Sequence, residues 1–573
     1  MTDTPREGRE PGGGPGRETG AESGGRLGSS ARAAIRAVAS GFSEFESPVP
    51  GAAGPGGREE PDGPLDWRGY GAARERARER TGESESVVCG TARIGGGAAD
   101  ENRDGGEGGK GGEGGEGGEG DGEDSAAGAE AVLISFEFGY LGGSLGAHTG
   151  DSIAAAYAHA RAHRLPLVSL IATGGSRMQE GMVALSQLQR VARESVLARR
   201  AGVPQLAVLR DPATGGGWAT LGAGADVVLA LPGAQVAFAG SRVRPGGADP
   251  AAYTAEGQHA AGHVDQIVEE TRLAVALERW LTLLTGGGGG PAPPPRALPS
   301  RTPSSRTPTH AATPGPQSPG TAGAPQTSRT QEEVSQPPQP PQALPAGASS
   351  AGPGRRDAQA VPLSGQEAVA RARTVRRPRA AAYLDDYFDW REEVRGDRCG
   401  GVDAGMLCGF GRRGGRTIAY AAQTGTATRP AGFRTAARLI RTADRLGIPV
   451  LTLIDTPGAA NDAEAESAGA GPAIAEVFAA VAEAAVPVTS LLIGEGGSGG
   501  ALALAAPGRL WVTPDSYFSV IAPELAAAIL KRPEQEAAAT ADELMLRPQD
   551  VVRLGVARAV VGPRDGASQS DAA

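Results

Sequence analysis

Four glycine-rich turns hold the residues best suited to chemistry. Two lie early, Gly174-Gly175-Ser176-Arg177-Met178-Gln179-Glu180-Gly181 and Asp211-Pro212-Ala213-Thr214-Gly215-Gly216-Gly217. Two lie late, Asp455-Thr456-Pro457-Gly458 and Gly494-Glu495-Gly496-Gly497-Ser498-Gly499-Gly500-Ala501. Each follows an apolar run with strand character and leads towards a helical pattern. Such a turn leaves backbone N–H groups without partners at the positive end of a helix dipole. Glycine there lets a substrate approach the main chain closely. Two donors aimed at one oxygen form an oxyanion hole, which stabilises an enolate or tetrahedral anion by about 2.7–4 kcal/mol per donor. The chemistry implied is recognition of a carbonyl or an anion. One Gly-Gly pair alone is usually just a tight turn; pairs at matching places in two halves of a chain point to function.

Other constellations are weaker. Glu180 and Glu495 stand beside helix starts, where interaction with the helix N-terminus is the simpler role. Arg177 and Arg242 are of the right type to clamp a phosphate or carboxylate. Gly494–Gly499 matches GxGxxG, but the match is isolated, comes late in its half, and no turn carries a P-loop lysine. The histidines are His148, His159, His163, His259, His263 and His310, all before the second half, which argues against a Ser/His/Asp triad spanning the halves. Cys89, Cys399 and Cys408 form no CxxC, so neither a zinc ribbon nor a disulfide framework is expected, and no metal is. The only lysines are Lys110 and Lys531, which makes a Schiff-base or biotin-carrying lysine a poor expectation.

The elements that must position these turns are themselves duplicated. Arg164-Leu-Pro-Leu-Val-Ser-Leu-Ile171 returns as Gly447-Ile-Pro-Val-Leu-Thr-Leu-Ile454, and Gly202-Val-Pro-Gln-Leu-Ala-Val-Leu209 as Ala485-Val-Pro-Val-Thr-Ser-Leu-Leu492. One offset, 283, relates Pro166 to Pro449, Pro204 to Pro487, and Gly216-Gly217 to Gly499-Gly500. Two homologous halves can build one site between them. Strands are expected at 86–94, 131–138, 165–173, 205–209, 227–231 and 235–239. A basic helix is expected over 65–80, and a helix from about Gln266 to Leu284 closes the first half. Met182, Leu185, Leu188 and Val191 recur at helical spacing and read as core packing. Alternating β and α elements give an α/β fold.

Of 573 residues, 90 are glycine and 44 proline, and these gather in local stretches. Residues 1–62 read as a disordered tail and 63–283 as the first domain, with a low-complexity Gly/Glu insertion at 95–129 on a hairpin tip. Residues 284–361 form a Pro/Gly/Ser-rich linker, 362–563 the second domain and 564–573 a tail. The net charge of −10 comes mostly from the insertion, and the near-neutral remainder gives no electrostatic case for nucleic acid. There is no apolar signal core and no apolar run of about 18 residues, so no membrane span is expected and the cytoplasm is the default location.

Longer motifs carry a family resemblance. Phe136-Glu-Phe-Gly-Tyr-Leu-Gly142-Gly143-Ser-Leu-Gly146, Gly174–Gly181, Asp211–Gly216 and Phe238-Ala-Gly-Ser-Arg-Val243 resemble the β subunit of bacterial acetyl-CoA carboxylase carboxyltransferase. Arg429-Pro-Ala-Gly-Phe433, Ile454-Asp-Thr-Pro-Gly-Ala459, Ile493–Leu502 and Tyr517-Phe-Ser-Val-Ile-Ala-Pro-Glu524 resemble its α subunit. The resemblance covers roughly 65–283 and 362–563 and implies a fused β–α carboxyltransferase, with two tandem crotonase-like domains of repeated β-β-α units. It implies biotin dependence: a carboxyl group moves from carboxybiotin on a separate carrier to an acyl-CoA, acetyl-CoA giving malonyl-CoA. The partners implied are biotin carboxyl carrier protein and biotin carboxylase, with a homo-oligomer whose sites form between an N half and a C half. By resemblance Gly174 and Gly175 hold the thioester enolate, and the Gly496–Ala501 turn, with Gly499 and Gly500, holds the biotin ureido oxygen. Gly142, Gly143, Arg177, Gly215, Gly216, Gly458, Gly496, Gly497 and Ala501 are the expected substrate contacts. The family's β-subunit zinc ribbon is missing. Where the α motif carries Tyr-Pro-Gly and then Glu-Glu-Arg-Gly-Gln, this chain has Ala460-Asn-Asp462 and Glu466-Ser-Ala-Gly469-Ala. Two other readings share these residues: an acyl-CoA decarboxylase component, and a non-catalytic paralogue that binds carrier or partner subunits.

Overall fold

The computed structural model describes residues 30–46, 62–95, 128–238, 247, 249–299 and 361–562. Most of the tail and insertion, residues 300–360 of the linker, 563–573, and Arg242 of the sequence expectations lie outside the described residues. The duplication is visible in two sheets. The first is built from β1 (Ala39–Glu44), β2 (Val87–Ile94), β3 (Ala129–Phe136), β4 (Leu167–Thr173), β5 (Gln205–Thr214), β6 (Val227–Ala230), β7 (Val236–Ala237) and β8 (Gln266–Ile267). The second uses β9 (Trp390–Glu393), β10 (Met406–Arg413), β11 (Arg416–Gln423), β12 (Val450–Thr456), β13 (Val488–Gly497), β14 (Leu510–Val512), β15 (Tyr517–Ser519) and β16 (Ala559–Val560).

The strand orders are the same: β1-β2-β3-β4-β5-β6-β8 with β7 beside β5, and β9-β10-β11-β12-β13-β14-β16 with β15 beside β13. In each sheet the first three strands are antiparallel and the rest parallel. Both β4 and β12 are buried along their whole length, as a parallel strand covered on both faces must be. Helix Ala147–His163 packs on β2 and β3 and against helix Gly181–Arg200; on the second sheet Pro430–Arg445 packs on β10 and β11 and against Ala470–Glu483. Proline at the first position of the third of these fixes its start, since its missing N–H is one no helix could use there.

Several expectations need correction. Within the supposed tail, Ala31–Val38 is a helix that buries Ala31, Ala34, Ile35 and Val38, and β1 pairs with β2. Residues 266–272 are β8 and a 3-10 turn, and the closing helix starts only at Leu273. Residues 286–299 of the linker lie on the second half: Tyr387 donates to Pro293 O at 2.8 Å and Thr489 to Ala292 O at 2.8 Å. The stripe read as core holds only in its second half: Leu188 packs against the core and Val191 is buried, whereas Met182 is 72% and Leu185 45% exposed, because the first turns of Gly181–Arg200 put the small residue Ala184 inward instead. That small side chain lets the helix sit close to its neighbours.

The two halves share one apolar core in which Trp280 meets Phe410 edge-on at 6.4 Å. Polar ties join them as well. Buried Asp265 pairs with Arg398 at 2.5 Å and Arg438 at 3.3 Å and accepts from the Arg395 amide at 2.9 Å. No helix among the described residues is long and apolar enough to cross a membrane.

Candidate functional site

In both halves the two central parallel strands end in the same irregular register. The β4–β5 pairing steps from Ile171↔Leu209 to Thr173↔Ala213, and the β12–β13 pairing from Ile454↔Leu492 to Thr456↔Gly496. The four pairs are related by the offset of 283 read from the sequence. A threonine side chain then holds each turn: the Gly175 amide donates to Thr173 Oγ1 at 3.0 Å, and the Gly458 amide to Thr456 Oγ1 at 3.1 Å. Both glycines have positive φ, +111° and +144°. Opposite Gly175 stands Gly215, where a Cβ would fall 2.8 Å from Gly175 Cα. At Gly500 a Cβ would fall 2.5 Å from Ala459 N. The glycines thus bring the strand-end turn and the following helix start into backbone contact.

Amide bookkeeping shifts attention by one residue. Gly174 N–H already donates to Gly142 O at 2.8 Å, and Gly175 N–H is held by Thr173. The next amide along each turn, Ser176 in the first half and Ala459 in the second, has no acceptor among the described residues. Its neighbours Leu145 and Arg177, or Thr428 and Ala460, make the flanking bridge bonds and fix its direction. Gly215–Gly217 open the helical segment after β5, and Ser498–Leu502 is the helix after β13; first-turn amides have no intrahelical acceptor. Gly500 O accepts from buried Gln423 Nε2 at 3.0 Å, which orients the peptide leading to Ala501. Sequence reasoning missed Ser176 and Ala459 as donors, since a backbone amide is not a residue type; their common offset from the Thr-Gly pairs was the available signal.

Gly142 and Gly143 form the 3-10 turn over Ala172–Gly174. Gly496 and Gly497 are the last residues of β13 and pair with β15. Arg177 does not face the turn's surface. Its side chain is fully buried and is spent on Glu85, on Glu180 at 3.2 Å, on Tyr70 at 3.2 Å and on Ser144 O at 2.8 Å. It positions the turn and is not placed to clamp a ligand. Burial alone would raise the Glu85 carboxyl, but the adjacent Arg177 outweighs it and holds it below the usual range. Glu180 accepts from the Ala147 amide at 2.6 Å, the helix-start role expected of it, though for a different helix. Beneath the second pair of turns Asp455 is fully buried between Arg377, at 2.9 and 3.0 Å, and Arg379 at 3.0 Å. Glu495 instead pairs with Arg373 and with the Tyr517 hydroxyl, each at 2.9 Å.

Among the described residues no hydrogen bond or ion pair joins the first pair of turns to the second. The ties between halves gather elsewhere: Arg445 reaches Val203 O at 3.4 Å, at the N-terminal ends of the parallel strands, whereas all four turns are at C-terminal ends. Each pair of turns is rimmed by exposed apolar side chains. Met178, Met182 and Phe238 edge the first; Val520, Leu525 and Ile529 follow the second. No group of three His, Cys, Asp or Glu side chains placed to hold a metal occurs among the described residues.

Comparison with known proteins gives consistent matches. Residues 121–267 match the family described as "Carboxyl transferase domain", and residues 356–573 the family described as "Acetyl co-enzyme A carboxylase carboxyltransferase-like". A protein of Saccharopolyspora erythraea, described as acetyl-coenzyme A carboxylase carboxyl transferase subunits beta/alpha, is 32% identical over 88% of this chain and 77% of its own length. One of the same description from Salinispora tropica is 34% identical with the same coverage. Among solved structures, the transcarboxylase 12S hexamer with methylmalonyl-coenzyme A bound aligns at TM-score 0.62 and 16% identity, over 93% of this chain and 86% of that one. A single-chain, multi-domain long-chain acyl-CoA carboxylase aligns at TM-score 0.59 and 17% identity, over 93% of this chain and 44% of that one. These two show the shared fold.

Proposed function

The chain belongs to the family of acetyl-CoA carboxylase carboxyl transferases with β and α parts in one polypeptide, and from that premise we propose which of its residues handle each reactant. It is a biotin-dependent acyl-CoA carboxyltransferase with two crotonase-like domains. The acceptor is acetyl-CoA, giving malonyl-CoA, and the donor carboxybiotin arrives on a separate carrier protein loaded by biotin carboxylase in the cytoplasm. When bound, carboxybiotin supplies the activated carboxyl group.

The first pair of turns binds the thioester. The amide of Ser176 and a first-turn amide of Gly216 or Gly217 donate to the thioester oxygen, where enolate charge develops. Charge developing on that oxygen is stabilised more than the ground-state carbonyl, which is how a fixed pair of donors lowers the barrier. Gly174 and Gly175 act through the backbone path they allow. The second pair receives the ureido oxygen, with Ala459 and the Gly499–Ala501 turn as donors. Its shape fits such a group, since a side chain at Gly500 would fill the space against Ala459 N. No imidazole is required at either place.

No hydrogen bond or ion pair joins the two pairs within one chain among the described residues, and in this reading the first pair of one copy faces the second pair of another. The exposed apolar rims support this, as large apolar side chains gathered around a polar turn mark an association surface. The carrying observation is the matched geometry: each half ends its central strands in one register and leaves one amide open beside a glycine-containing helix start. The test is a coupled assay with purified carboxylated carrier and a panel of acyl-CoAs. Malonyl-CoA is the expected product; binding of acyl-CoA without any carboxylated product would reject the reading.

A further inference from the structure

A second polar cleft lies at the other end of the sheets. It is an open space of about 410 Å³ between the halves, lined by Arg199, Arg398, Arg438, Arg441 and Arg445 around the turn Ala223–Asp226. Helix Gly181–Arg200 contributes the first arginine; the last three lie along helix Pro430–Arg445 at spacings of three and four, which places them on one face. The acids available are few. Asp226 pairs with Arg445 at 2.6 Å but also accepts from the Gln205 amide at 2.9 Å. Asp265 serves Arg398 and Arg438 while accepting from the amides of Val228 and Arg395. Glu476 approaches Arg441 only at 3.4 Å, with both side chains nearly half exposed. Five guanidiniums thus face three carboxylates, two of them already shared with backbone amides; carbonyl oxygens of Gly224, His263, Gly396 and Val203 accept from Arg199, Arg398, Arg438 and Arg445, but they carry no charge and leave the positive excess standing. The Nε groups of Arg199 and Arg438 are buried with no acceptor among the described residues. Burial and repulsion from Arg438 also push the Arg398 guanidinium below its ordinary pKa, despite Asp265 beside it.

We propose that this cleft binds a small phosphate-bearing anion that bridges the two halves. Planar guanidiniums presenting several donors suit phosphate oxygens, and the volume is in the range of small-molecule sites, about 300–1,000 Å³. The site is distinct from the thioester turns. Asp226 and Gln205 stand where β6 and β5 begin, whereas the turns follow the end of β5, about 30 Å away for a ten-residue strand.

The test is isothermal titration calorimetry of the full chain with pyrophosphate, on wild type and on Arg441→Ala and Arg199→Gln. Saturable binding with one site per chain is expected, weakened at least tenfold in each variant, with a rise in melting temperature on adding pyrophosphate in wild type only. Arg441 is half exposed, so Arg441→Ala should melt like wild type without anion; if it fails to fold, Arg199→Gln carries the comparison. Wild type showing no saturable heat would overturn the inference. So would undiminished affinity in the folded variants, which would place the anion elsewhere, in the thioester site for instance.

Discussion

The two halves support the same turn with opposite charge arrangements. Under the first, one buried arginine, Arg177, is surrounded by Glu85, Glu180 and Tyr70; under the second, one buried aspartate, Asp455, is held by Arg377 and Arg379. The backbone is nonetheless the same, with a threonine oxygen on the glycine amide and one open amide after it. The turn geometry therefore follows from the strand register and the glycines, and each half found its own way to brace it. The halves also differ at the helix start: Gly215 has φ +65°, while its counterpart Ser498 accepts the left-handed conformation at +55°.

The most damaging change should be in the backbone contacts themselves. Gly500→Val and Gly215→Val place a side chain against Ala459 N and Gly175 Cα, so each should lower kcat for carboxyl transfer at least about 100-fold. Equal loss in both would show that the halves contribute equally; an intact rate in either would remove that half from the site. Next come the braces. Asp455→Ala leaves two arginines uncompensated and Arg177→Ala strands Glu85 and Glu180, so each should cost about 3–5 kcal/mol in urea unfolding.

The braces should also separate by pH. Glu85 is depressed in the folded state, so its contribution is complete above the unfolded value of about 4.3 and is lost as pH falls through the folded pKa. Glu85→Gln should therefore reduce the acid-side slope of stability, measured by thermal melts between pH 3 and pH 6. A slope equal to that of wild type would remove Glu85 from the account. Smallest is Ser498→Gly, which relieves the left-handed strain and should raise stability by about 1 kcal/mol if the two helix starts are equivalent. A loss of stability would show that the Ser498 side chain has a role its counterpart lacks.

Much of this was legible in the sequence because parallel strands buried on both faces must be apolar runs, and glycine is the only residue some backbone paths accept. Hence the correspondence of β4 with β12 and of β5 with β13 could be read from the repeat alone. What escaped was decided by neighbours. The helix at Ala31–Val38 buries Ala31, Ala34, Ile35 and Val38 at helical spacing, yet a Gly- and Pro-rich surround hid it. The face of Gly181–Arg200 could not be chosen by size of apolar residue, because tight packing selected alanines and left Met182 outside. Arg177 looked like a ligand clamp because its partners Glu85 and Tyr70 lie about 90 and 110 residues away, at separations of 92 and 107.

The most direct measurement is subunit complementation. Gly215→Val and Gly500→Val chains, each inactive alone, are mixed under conditions that allow exchange, and malonyl-CoA formation is followed. If the first turns of one copy meet the second turns of another, a mixed pair holds one site with both halves intact, and activity should return to about a quarter of wild type in a two-fold dimer. Exchanged but wholly inactive mixtures would contradict a site shared between copies.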